Sequence, residues 1–258
     1  ADSVYWDIDQ AGLAEHSGWI TGGDGLLAID LNHDGIINDH GELFGTETTD
    51  GFTVLSAYDS NSDNVINSSD AAFNDLLVWV DTNANGYSEA GELSSLTDLN
   101  ITSINLNANL VDYDIAGNHI THESTFTMNG QTQTIVDAWF SYDNANSEYS
   151  DPYSLDIRTL YLPTLKGFGD VPDLHISMSL DEDLLLMVQE IAVADTTTLF
   201  DPTFDLTGKM TDIFFKWTGV ENVDPTSRGS EFDGQKLEAL EAYLGDDFVM
   251  TDGRTDPT

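Results

Sequence analysis

The sequence has no cysteine and few basic residues: 7 Lys and Arg stand against 47 Asp and Glu, which gives a formal net charge of −40. Without cysteine, disulfide bonds, thiolate metal sites and a cysteine nucleophile are excluded. No Lys or Arg precedes Arg158, so the first half of the chain carries no fixed positive charge on its side chains. Nucleic acid and anionic membrane surfaces are therefore expected to be poor partners, because an acidic chain repels other anions.

Long hydrophobic runs are also missing, since no apolar stretch approaches the roughly 20 residues that a membrane helix needs. We therefore expect no membrane insertion. Hydrophobic residues nevertheless make up 40% of the 258 residues, which is enough for a packed core. The negative charge then has to be screened by high salt or neutralised by bound cations.

Short loops in the first half place acids and asparagines two residues apart. Calcium binds about six to eight oxygens, and an EF-hand-type loop supplies them from positions 1, 3, 5, 7 (a backbone carbonyl), 9 and 12. Two loops match at every position. The ligands predicted for loop 2 are Asp59, Asn61, Asp63, the Val65 carbonyl, Asn67 and Asp70. Those predicted for loop 3 are Asp81, Asn83, Asn85, the Tyr87 carbonyl, Glu89 and Glu92.

Loop 1 departs from the template at its end. Position 12 is Gly41, and the acid follows one residue later as Glu42, so we expect an expanded loop. Its predicted ligands are Asp30, Asn32, Asp34, the Ile36 carbonyl, Asn38 and Glu42. A fourth stretch, which begins at Asp7, lacks an oxygen at position 5 and is interpreted as degenerate.

Position 6 of such a loop needs a residue that tolerates a positive φ angle. Loops 1 and 3 have Gly35 and Gly86 there, and loop 2 has Asn64, which is one of the few other residues that accept this geometry. Position 8 is a hydrophobic residue in loops 1 and 2, Ile37 and Ile66. A halophilic acidic surface is the alternative explanation of the acids, but it does not require this spacing three times. The sequence predicts about three Ca²⁺ sites; Mg²⁺ fits less well because it gives up its water reluctantly.

The remaining pattern predicts an α+β protein in which a calcium-loop (EF-hand-like) module with short helices and β-hairpins is followed by a mainly helical segment. The module spans 1–141, and within it 101–141 alternates apolar and polar residues as two hairpins, with turns at Gly117-Asn118 and Asn129-Gly130. We expect a linker at 142–157, a helical segment at 158–250 and a flexible tail at 251–258. Whether the two halves pack as one unit stays open, since the second half supplies all the fixed positive charge.

Three helices are predicted in the second half. The first runs to about Ala194 behind a capping box that begins at Ser179, and the second spans Thr207–Trp217. The third spans 234–244, between an Asp233 cap and Gly245. We also expect Arg228 to pair with a nearby acid.

Two stretches of the first half, GWITGGDGLLAIDLNHDGIINDHGELFG (18–45) and the segment from GFTVLSAYDSNSDN to ITSINLN (51–107), resemble a module of large RTX proteins secreted by Gram-negative bacteria. In FrpC-like RTX proteins, the related module is a calcium-dependent self-processing module. The stretches LPTLKGFGDVPDLHISMSLD (162–181) and FKWTGVENVDPTSRGSEFDGQKLEALEAYLG (215–245) resemble a conserved region of haemolysin-type calcium-binding proteins, which lies near ligand-binding domains in giant RTX adhesins.

The resemblance implies an extracellular, calcium-loaded protein of the bacterial cell surface that is exported by type I secretion and acts in cell adhesion and biofilm formation. We expect a non-enzymatic scaffold, rigidified by calcium, whose partners are neighbouring adhesin domains and a host or surface ligand. One alternative is calcium-dependent self-processing at an Asp-Pro bond, which in the family precedes the segment that starts here at Ala1. The other alternative is direct binding of a peptide or sugar through a calcium site, first of all at loop 1.

Other chemistry is not indicated by any motif. His119 and His122 lie three residues apart on a predicted strand, so they point to opposite faces and cannot share a metal. No nucleophile elbow, phosphate loop or dinucleotide fingerprint occurs in the sequence.

Overall fold

Residues 3–8, 12–38, 40–46 and 48–248 are described by the structure, which is a computed structural model of the chain. The chain mixes helices and strands, in agreement with the α+β prediction. Contacts between Cα atoms divide it into two compact units. Unit 1 comprises Ala1–Gln10 and His16–Tyr142, and unit 2 comprises Ala11–Glu15 and Asp143–Thr258. The predicted domain boundary at residue 141 lies next to this division, and the packing of the two halves as one unit stays a prediction.

The strands occupy the first part of the chain, up to residue 149. In the described residues they are β1 Ser3–Trp6, β2 Leu13–Gly18, β3 Leu26–Ile29, β4 Val65–Asn67, β5 Leu76–Trp79, β6 Leu93–Ser95, β7 Ile101–Asn105, β8 Asn109–Ile115, β9 Asn118–Met128, β10 Gln131–Trp139 and β11 Tyr142–Tyr149. Two antiparallel sheets lie within unit 1. One has the order β3-β5-β6, and the other has the order β10-β9-β7-β4, with β8 also paired to β9.

The predicted hairpins are formed by β8, β9 and β10. Asn129 and Gly130 join β9 to β10 with φ angles of 53° and 72°, the left-handed geometry of a two-residue hairpin turn. The turn between β8 and β9 was predicted at Gly117-Asn118 but lies one residue earlier, at Ala116 (φ 53°) and Gly117 (φ 93°). Asn118 instead begins β9, where its Nδ2 donates a hydrogen bond of 3.1 Å to the backbone oxygen of Trp19.

The smaller sheet positions loops 1 and 3. Strand β3 leads into loop 1 and strand β5 leads into loop 3. Loop 3 connects β5 to β6 as a long hairpin, in which Trp79 lies opposite Leu93 and the Val80 N–H donates to the Glu92 carbonyl at 2.9 Å. The two ends of loop 3 are therefore held together by the sheet before any ligand is considered.

Two hydrophobic cores lie beneath the loops of unit 1. The first contains what we term the tryptophan cluster, Trp6, Trp19 and Trp79, whose ring centroids are 5.3 to 5.5 Å apart. Ile37 belongs to this core and Ile66 to the second one, and both are completely or almost completely buried. The hydrophobic residue at position 8 thus connects loops 1 and 2 to these cores, and each isoleucine contributes about 1.5 to 3 kcal/mol through burial.

The predicted linker at 142–157 differs from the structure, because strand β11 occupies its first eight residues, Tyr142–Tyr149. This strand was missed because its sequence, YDNANSEY, is polar. Its order comes from tertiary contacts instead, such as the bond from Asn144 Nδ2 to the Gly245 carbonyl at 2.7 Å.

Helices follow in unit 2. With the short helix of unit 1, the α-helices of the described residues are α1 Gly51–Leu55, α2 Leu174–Leu180, α3 Glu182–Val193, α4 Thr196–Leu199, α5 Leu206–Trp217 and α6 Gly234–Leu244. Single-turn 3-10 segments lie at His40–Glu42, Ser56–Tyr58 and Ile157–Tyr161. Across the part of the chain that the structure describes, none of the helices is both long enough and apolar enough to cross a membrane. The predicted tail at 251–258 lies outside the described residues.

The three helices predicted from the sequence correspond to α3, α5 and α6, with one cap corrected. The N-cap of α3 is Asp181, whose carboxylate accepts the Leu184 N–H at 3.1 Å, and not Ser179. Ser179 lies within α2, which the sequence analysis missed, and its hydroxyl donates to the His175 carbonyl at 2.7 Å. Arg228 pairs with the buried carboxylate of Glu241 at 2.9 Å, as predicted.

Gly169 marks a close approach of two backbone segments in unit 2. A Cβ atom at this position would collide with the backbone nitrogen of Gly245 and the carbonyl of Ala242. Gly219 also has a positive φ, of 76°, but a Cβ atom there would meet open space. An alanine at Gly219 therefore meets only the strain of a positive φ, whereas an alanine at Gly169 meets both that strain and a steric clash.

We predict that Gly169→Ala destabilises unit 2 more than Gly219→Ala does. The left-handed backbone alone costs an L-residue about 1 to 2 kcal/mol, and overpacking adds about 1 to 3 kcal/mol at Gly169. Urea unfolding monitored by circular dichroism measures both free energies of unfolding. Equal losses in the two variants would contradict the close approach.

Candidate metal centre

The carboxylate at position 1 has the same backbone partners in all three loops. Both of its oxygens accept hydrogen bonds from the N–H groups of positions 5 and 6, so the loop wraps around the acid. The distances are 3.2 and 3.0 Å for Asp30, 3.3 and 2.8 Å for Asp59, and 3.1 and 2.8 Å for Asp81. These contacts close each loop on itself with its side-chain oxygens on the inside.

Positions 3 and 5 extend this pattern. The amide oxygens of Asn32 and Asn61 each accept the N–H of position 5 at 2.9 Å. The position 5 oxygen in turn accepts the N–H of position 7, at 2.9 Å for Asp34, 2.9 Å for Asp63 and 2.8 Å for Asn85. Loop 3 differs at position 3, where Asn83 donates from Nδ2 to Glu89 Oε2 at 2.9 Å. The residue spacing recognised in the sequence is thus the spacing of a repeated set of side-chain to backbone bonds.

The terminal acid closes each loop, and loop 1 uses Glu42 for this purpose. Glu42 accepts the N–H groups of Leu31 and Asn38, at positions 2 and 9, both at 3.0 Å. In loop 2, Asp70 accepts hydrogen bonds from the backbone N–H groups at the same two positions, both at 2.9 Å. In loop 3, Glu92 accepts the corresponding N–H groups at 2.9 and 3.1 Å. The one-residue displacement of Glu42 therefore leaves its hydrogen-bonding role unchanged, although its binding of calcium stays a prediction.

The backbone angles are also shared by the three loops. Position 6 has a positive φ in each, 87° at Gly35, 63° at Asn64 and 76° at Gly86, which confirms the prediction for Asn64. Position 4 has a positive φ as well, at His33 (60°), Ser62 (60°) and Ala84 (54°). Sequence reasoning missed position 4 because none of these residues is a glycine.

The terminal acids are buried, and neutral hydrogen-bond donors stabilise their charge. Glu42, Asp70 and Glu92 are all at least nine-tenths buried. The hydrogen bond from the Asn67 N–H, supported by those from Ser60, lowers the pKa of Asp70 against the effect of burial. Burial alone raises the pKa of Glu92, but the hydrogen bonds from Thr82, Glu89 and Trp79 outweigh it and lower that pKa. Both acids are therefore stabilised in their ionised form.

Loop 3 is connected to the tryptophan cluster through its two buried acids. The indole N–H of Trp19 donates to Asp81 Oδ2 at 2.7 Å, and that of Trp79 donates to Glu92 Oε2 at 3.4 Å. Sequence reasoning gave neither tryptophan a role at the loops. Trp19 and Asp81 are separated by 62 positions along the chain, and no local pattern indicates their contact.

The three loops fit calcium by the chemistry of their donors, which are carboxylate, amide and carbonyl oxygens. Among residues 3–8, 12–38, 40–46 and 48–248, however, no group of three or more His, Cys, Asp or Glu side chains is arranged so that it could hold a metal ion. In each loop the carboxylates at the first and last positions accept hydrogen bonds from backbone N–H groups. Calcium coordination by these residues is therefore a proposal.

The other sites considered in the sequence carry no metal geometry. His119 lies 3.2 Å from Asp114, and His122 lies 3.7 Å from Asp137, so the two histidines contact different acids. The degenerate fourth loop includes residues 9–11, which are outside the described residues.

Comparison with known families identifies the first half of the chain. The SPM domain model matches residues 1–141, which contain loops 1, 2 and 3 and all but the last strand. The chain belongs to the SPM domain family. The iron-regulated protein FrpA of Neisseria meningitidis serogroup C is 35% identical over 201 residues, which are 74% of this chain and 18% of that protein. The SPM domain and part of the second half therefore have a relative in a far longer protein.

In the SPM domain, Asn64 tests the shared backbone geometry. We predict that Asn64→Gly keeps or slightly raises the free energy of unfolding, because glycine adopts a φ of 63° without strain. Asn64→Val is expected to lower it by about 1 to 2 kcal/mol, since a branched side chain is strained there. Urea unfolding of the three proteins measures the difference, and a valine variant as stable as the wild type would contradict the assigned geometry.

Proposed function

We propose that the chain is a calcium-binding module of a secreted RTX-family protein, and that Ca²⁺ orders loops 1, 2 and 3. The observation that carries this proposal is the common hydrogen-bond pattern of the loops, including the replacement of position 12 by Glu42. A solvated acidic surface has no need for such repetition, whereas a cation-binding loop needs its oxygens brought to one side of the backbone.

The charge distribution supports the same proposal. Residues before Arg158 include no Lys or Arg, so the acids of unit 1 have no permanent side-chain cation to pair with. Bound Ca²⁺ would supply positive charge at the three loops. The residues proposed to hold it are the eighteen named for the three loops, with the backbone carbonyls contributed by Ile36, Val65 and Tyr87.

We further propose that the calcium-loaded module is a rigid extracellular scaffold of a bacterial adhesin, next to its ligand-binding region. The FrpA relationship supports membership of the RTX family, and the resemblance of residues 162–181 and 215–245 to a region of RTX adhesins supports the position in the protein. Loops 1 and 3 follow the neighbouring strands β3 and β5, so ordering them would stiffen the sheet from both of its ends. Neighbouring adhesin domains of the same chain are the expected partners.

Calcium titration of single-acid variants tests the proposal. We predict that calcium binds the wild type at three sites and that Glu42→Gln removes one of them. At a free calcium concentration of one hundred times Kd, each site contributes about 2.7 kcal/mol, so the melting temperature should fall on chelation. Isothermal titration calorimetry gives the number of sites, and melts with calcium or excess chelator give the stabilisation.

Asp75→Asn is the matched control, because Asp75 is exposed, lies outside the loops and carries the same charge. Retention of three sites by Glu42→Gln would contradict the assignment of Glu42. A wild-type melt that is unchanged by chelator but collapses at low salt would mean that the acids form a halophilic surface, and the whole proposal would fail.

The second candidate function is calcium-dependent self-processing at an Asp-Pro bond, which is supported by the resemblance of residues 18–45 and 51–107 to the module of FrpC-like RTX proteins. In such a step the Asp carboxylate attacks the carbonyl carbon of its own peptide bond, the C–N bond breaks, the proline nitrogen takes up a proton, and water hydrolyses the resulting anhydride. Within the described residues, Asp-Pro bonds follow Asp151, Asp201 and Asp224. The carboxylates of Asp201 and Asp224 accept hydrogen bonds from Thr203 and Thr226, at 2.7 to 2.8 Å, which lower both pKa values. These two acids are poor nucleophiles in the folded protein.

We therefore predict that any calcium-triggered cleavage within the described residues occurs after Asp151, whose carboxylate has no hydrogen bond there. Gels and intact-mass spectrometry of samples with calcium or chelator would detect the fragments. Asp151→Ala should abolish them, whereas Asp201→Ala and Asp224→Ala should not. A single intact band under all conditions would leave the scaffold function alone in place.

A further inference from the structure

We propose that unit 1 contains a binding cavity for a small organic cation with an apolar body, apart from the three calcium loops, and that Asp137 is the carboxylate that binds the cationic group. The proposal goes beyond the calcium function and does not depend on it. It rests on a cavity, on one buried acid and on the absence of Lys and Arg from this part of the sequence.

The cavity has a volume of about 300 Å³ and lies between the start of β3, the segment 43–55 and strand β10. Its walls are mostly apolar, with Leu26, Leu43, Phe44, Phe52, Ile135 and Phe140 among the lining residues. This volume is at the lower end of ligand pockets, which span about 300 to 1,000 Å³ and combine apolar walls with a few polar groups. The space suits a single aromatic ring or a short aliphatic chain.

Asp137 is the acidic side chain among the described lining residues, and it is nine-tenths buried. Its Oδ1 accepts the Gly51 N–H, the first of helix α1, at 2.8 Å. Its Oδ2 accepts the Thr121 hydroxyl at 2.6 Å and the Trp139 indole N–H at 2.8 Å. Because these donors are neutral, Asp137 holds the hairpin against α1 without any charge compensation from them.

The carboxylate also has acceptor capacity left. An ionised carboxylate offers about four lone-pair sites, and the three hydrogen bonds of Asp137 occupy three of them. His122 lies beside the carboxylate, with its Nδ1 3.7 Å from Oδ2. His40 also lines the cavity, and the carboxylate of Asp50 lies just before α1.

The charges around the cavity favour a cationic ligand over an anionic one. Since no Lys or Arg precedes Arg158, unit 1 has no such side chain that could bind an anion in this cavity or pair with Asp137. An anion would meet a buried carboxylate in a low-dielectric site, whereas a cation would gain from it. An amine attached to an aromatic or aliphatic body satisfies both the charge of Asp137 and the apolar walls.

The cavity is near loop 1 along the sequence, because Leu43 and Phe44 directly follow the terminal acid Glu42. The sequence analysis placed direct ligand binding on the calcium ion of loop 1 itself. The structure instead offers a separate cavity with its own charged group. Ligand binding here requires no open coordination position on a metal.

Three probes of equal shape and different charge test the proposal on the whole chain, in calcium, at about pH 8: 2-phenylethylamine, 2-phenylethanol and 3-phenylpropionate. We expect saturable 1:1 binding of the amine, with an affinity about tenfold or more above that of the alcohol, because a hydrogen bond to a charged partner is worth at least that factor. The carboxylate should not bind. Chemical-shift titration by NMR measures the three affinities and locates the site.

Variants distinguish the cavity from general attraction to an acidic surface. Asp137→Asn should reduce the amine affinity to that of the alcohol, while Asp75→Asn, which removes an exposed acid, should leave it unchanged. Ala138→Leu adds volume to the cavity lining and should abolish binding of both probes, and this keeps the test decisive if Asp137→Asn fails to fold. Equal affinities for amine and alcohol, an effect of Asp75→Asn equal to that of Asp137→Asn, or no saturable binding up to about 10 mM would each overturn the proposal.

Discussion

The structure of unit 1 depends on how a part of the chain without Lys or Arg accommodates buried carboxylates. Burial of an ionised acid is unfavourable unless hydrogen bonds or opposite charges compensate it. Glu42, Asp70, Asp81, Glu92 and Asp137 are all buried, and the hydrogen bonds that hold them come from backbone N–H groups, indoles and hydroxyls. This constraint explains why the loops have such regular geometry: each acid needs several N–H donors, and only a tightly curved backbone with left-handed residues presents them at the same time.

In unit 2, by contrast, acids pair with Lys and Arg side chains, and one of the paired acids, Glu241, is buried. Arg158 bridges Asp156 and Glu182, Lys216 bridges Asp181 and Glu221, and Arg228 pairs with the buried Glu241. The pair of Lys216 with Asp181 connects α5 to the N-cap of α3, and the pair of Arg228 with Glu241 connects the segment between α5 and α6 to α6. Exposed ion pairs contribute little, whereas the loss of one partner of a buried pair is costly. If calcium binds loops 1, 2 and 3 as proposed, its removal is expected to affect unit 1 more directly than unit 2, because all three loops lie in unit 1.

Local features were predictable from the sequence, and non-local ones were not. The loop spacing, the left-handed Asn64, the hairpin turn at Asn129-Gly130 and the helix caps at Asp233 and Gly245 each depend on residues within one turn of the chain. By contrast, the Asp137 bond to Gly51 spans 86 positions and the Trp19 bond to Asp81 spans 62. Strand β11 was missed for the same reason, because its polar sequence gives no periodic signal and its order comes from contacts far along the chain. Glu42 is an intermediate case. The sequence shows that it stands one residue after position 12 of loop 1, but only the structure shows that it accepts the same backbone N–H groups as the terminal acids of loops 2 and 3.

The hydrogen bonds of loop 3 distinguish it from loops 1 and 2 as a proposed calcium site. Glu92 accepts four hydrogen bonds, from the Thr82 N–H and hydroxyl, the Glu89 N–H and the Trp79 indole N–H. Together these four bonds occupy the roughly four lone-pair sites of a carboxylate. Likewise, Asp81 Oδ2 accepts hydrogen bonds from both the Gly86 backbone N–H and the Trp19 indole N–H. Coordination of calcium by these two acids thus requires an exchange of bonds that extends to the tryptophan cluster. Loop 2 has no indole among its hydrogen-bond donors, so its metal binding would stay local. If calcium binds as proposed, loop 3 is a site at which it would reorganise the core, because two of its predicted ligands, Asp81 and Glu92, accept hydrogen bonds from the buried indoles of Trp19 and Trp79.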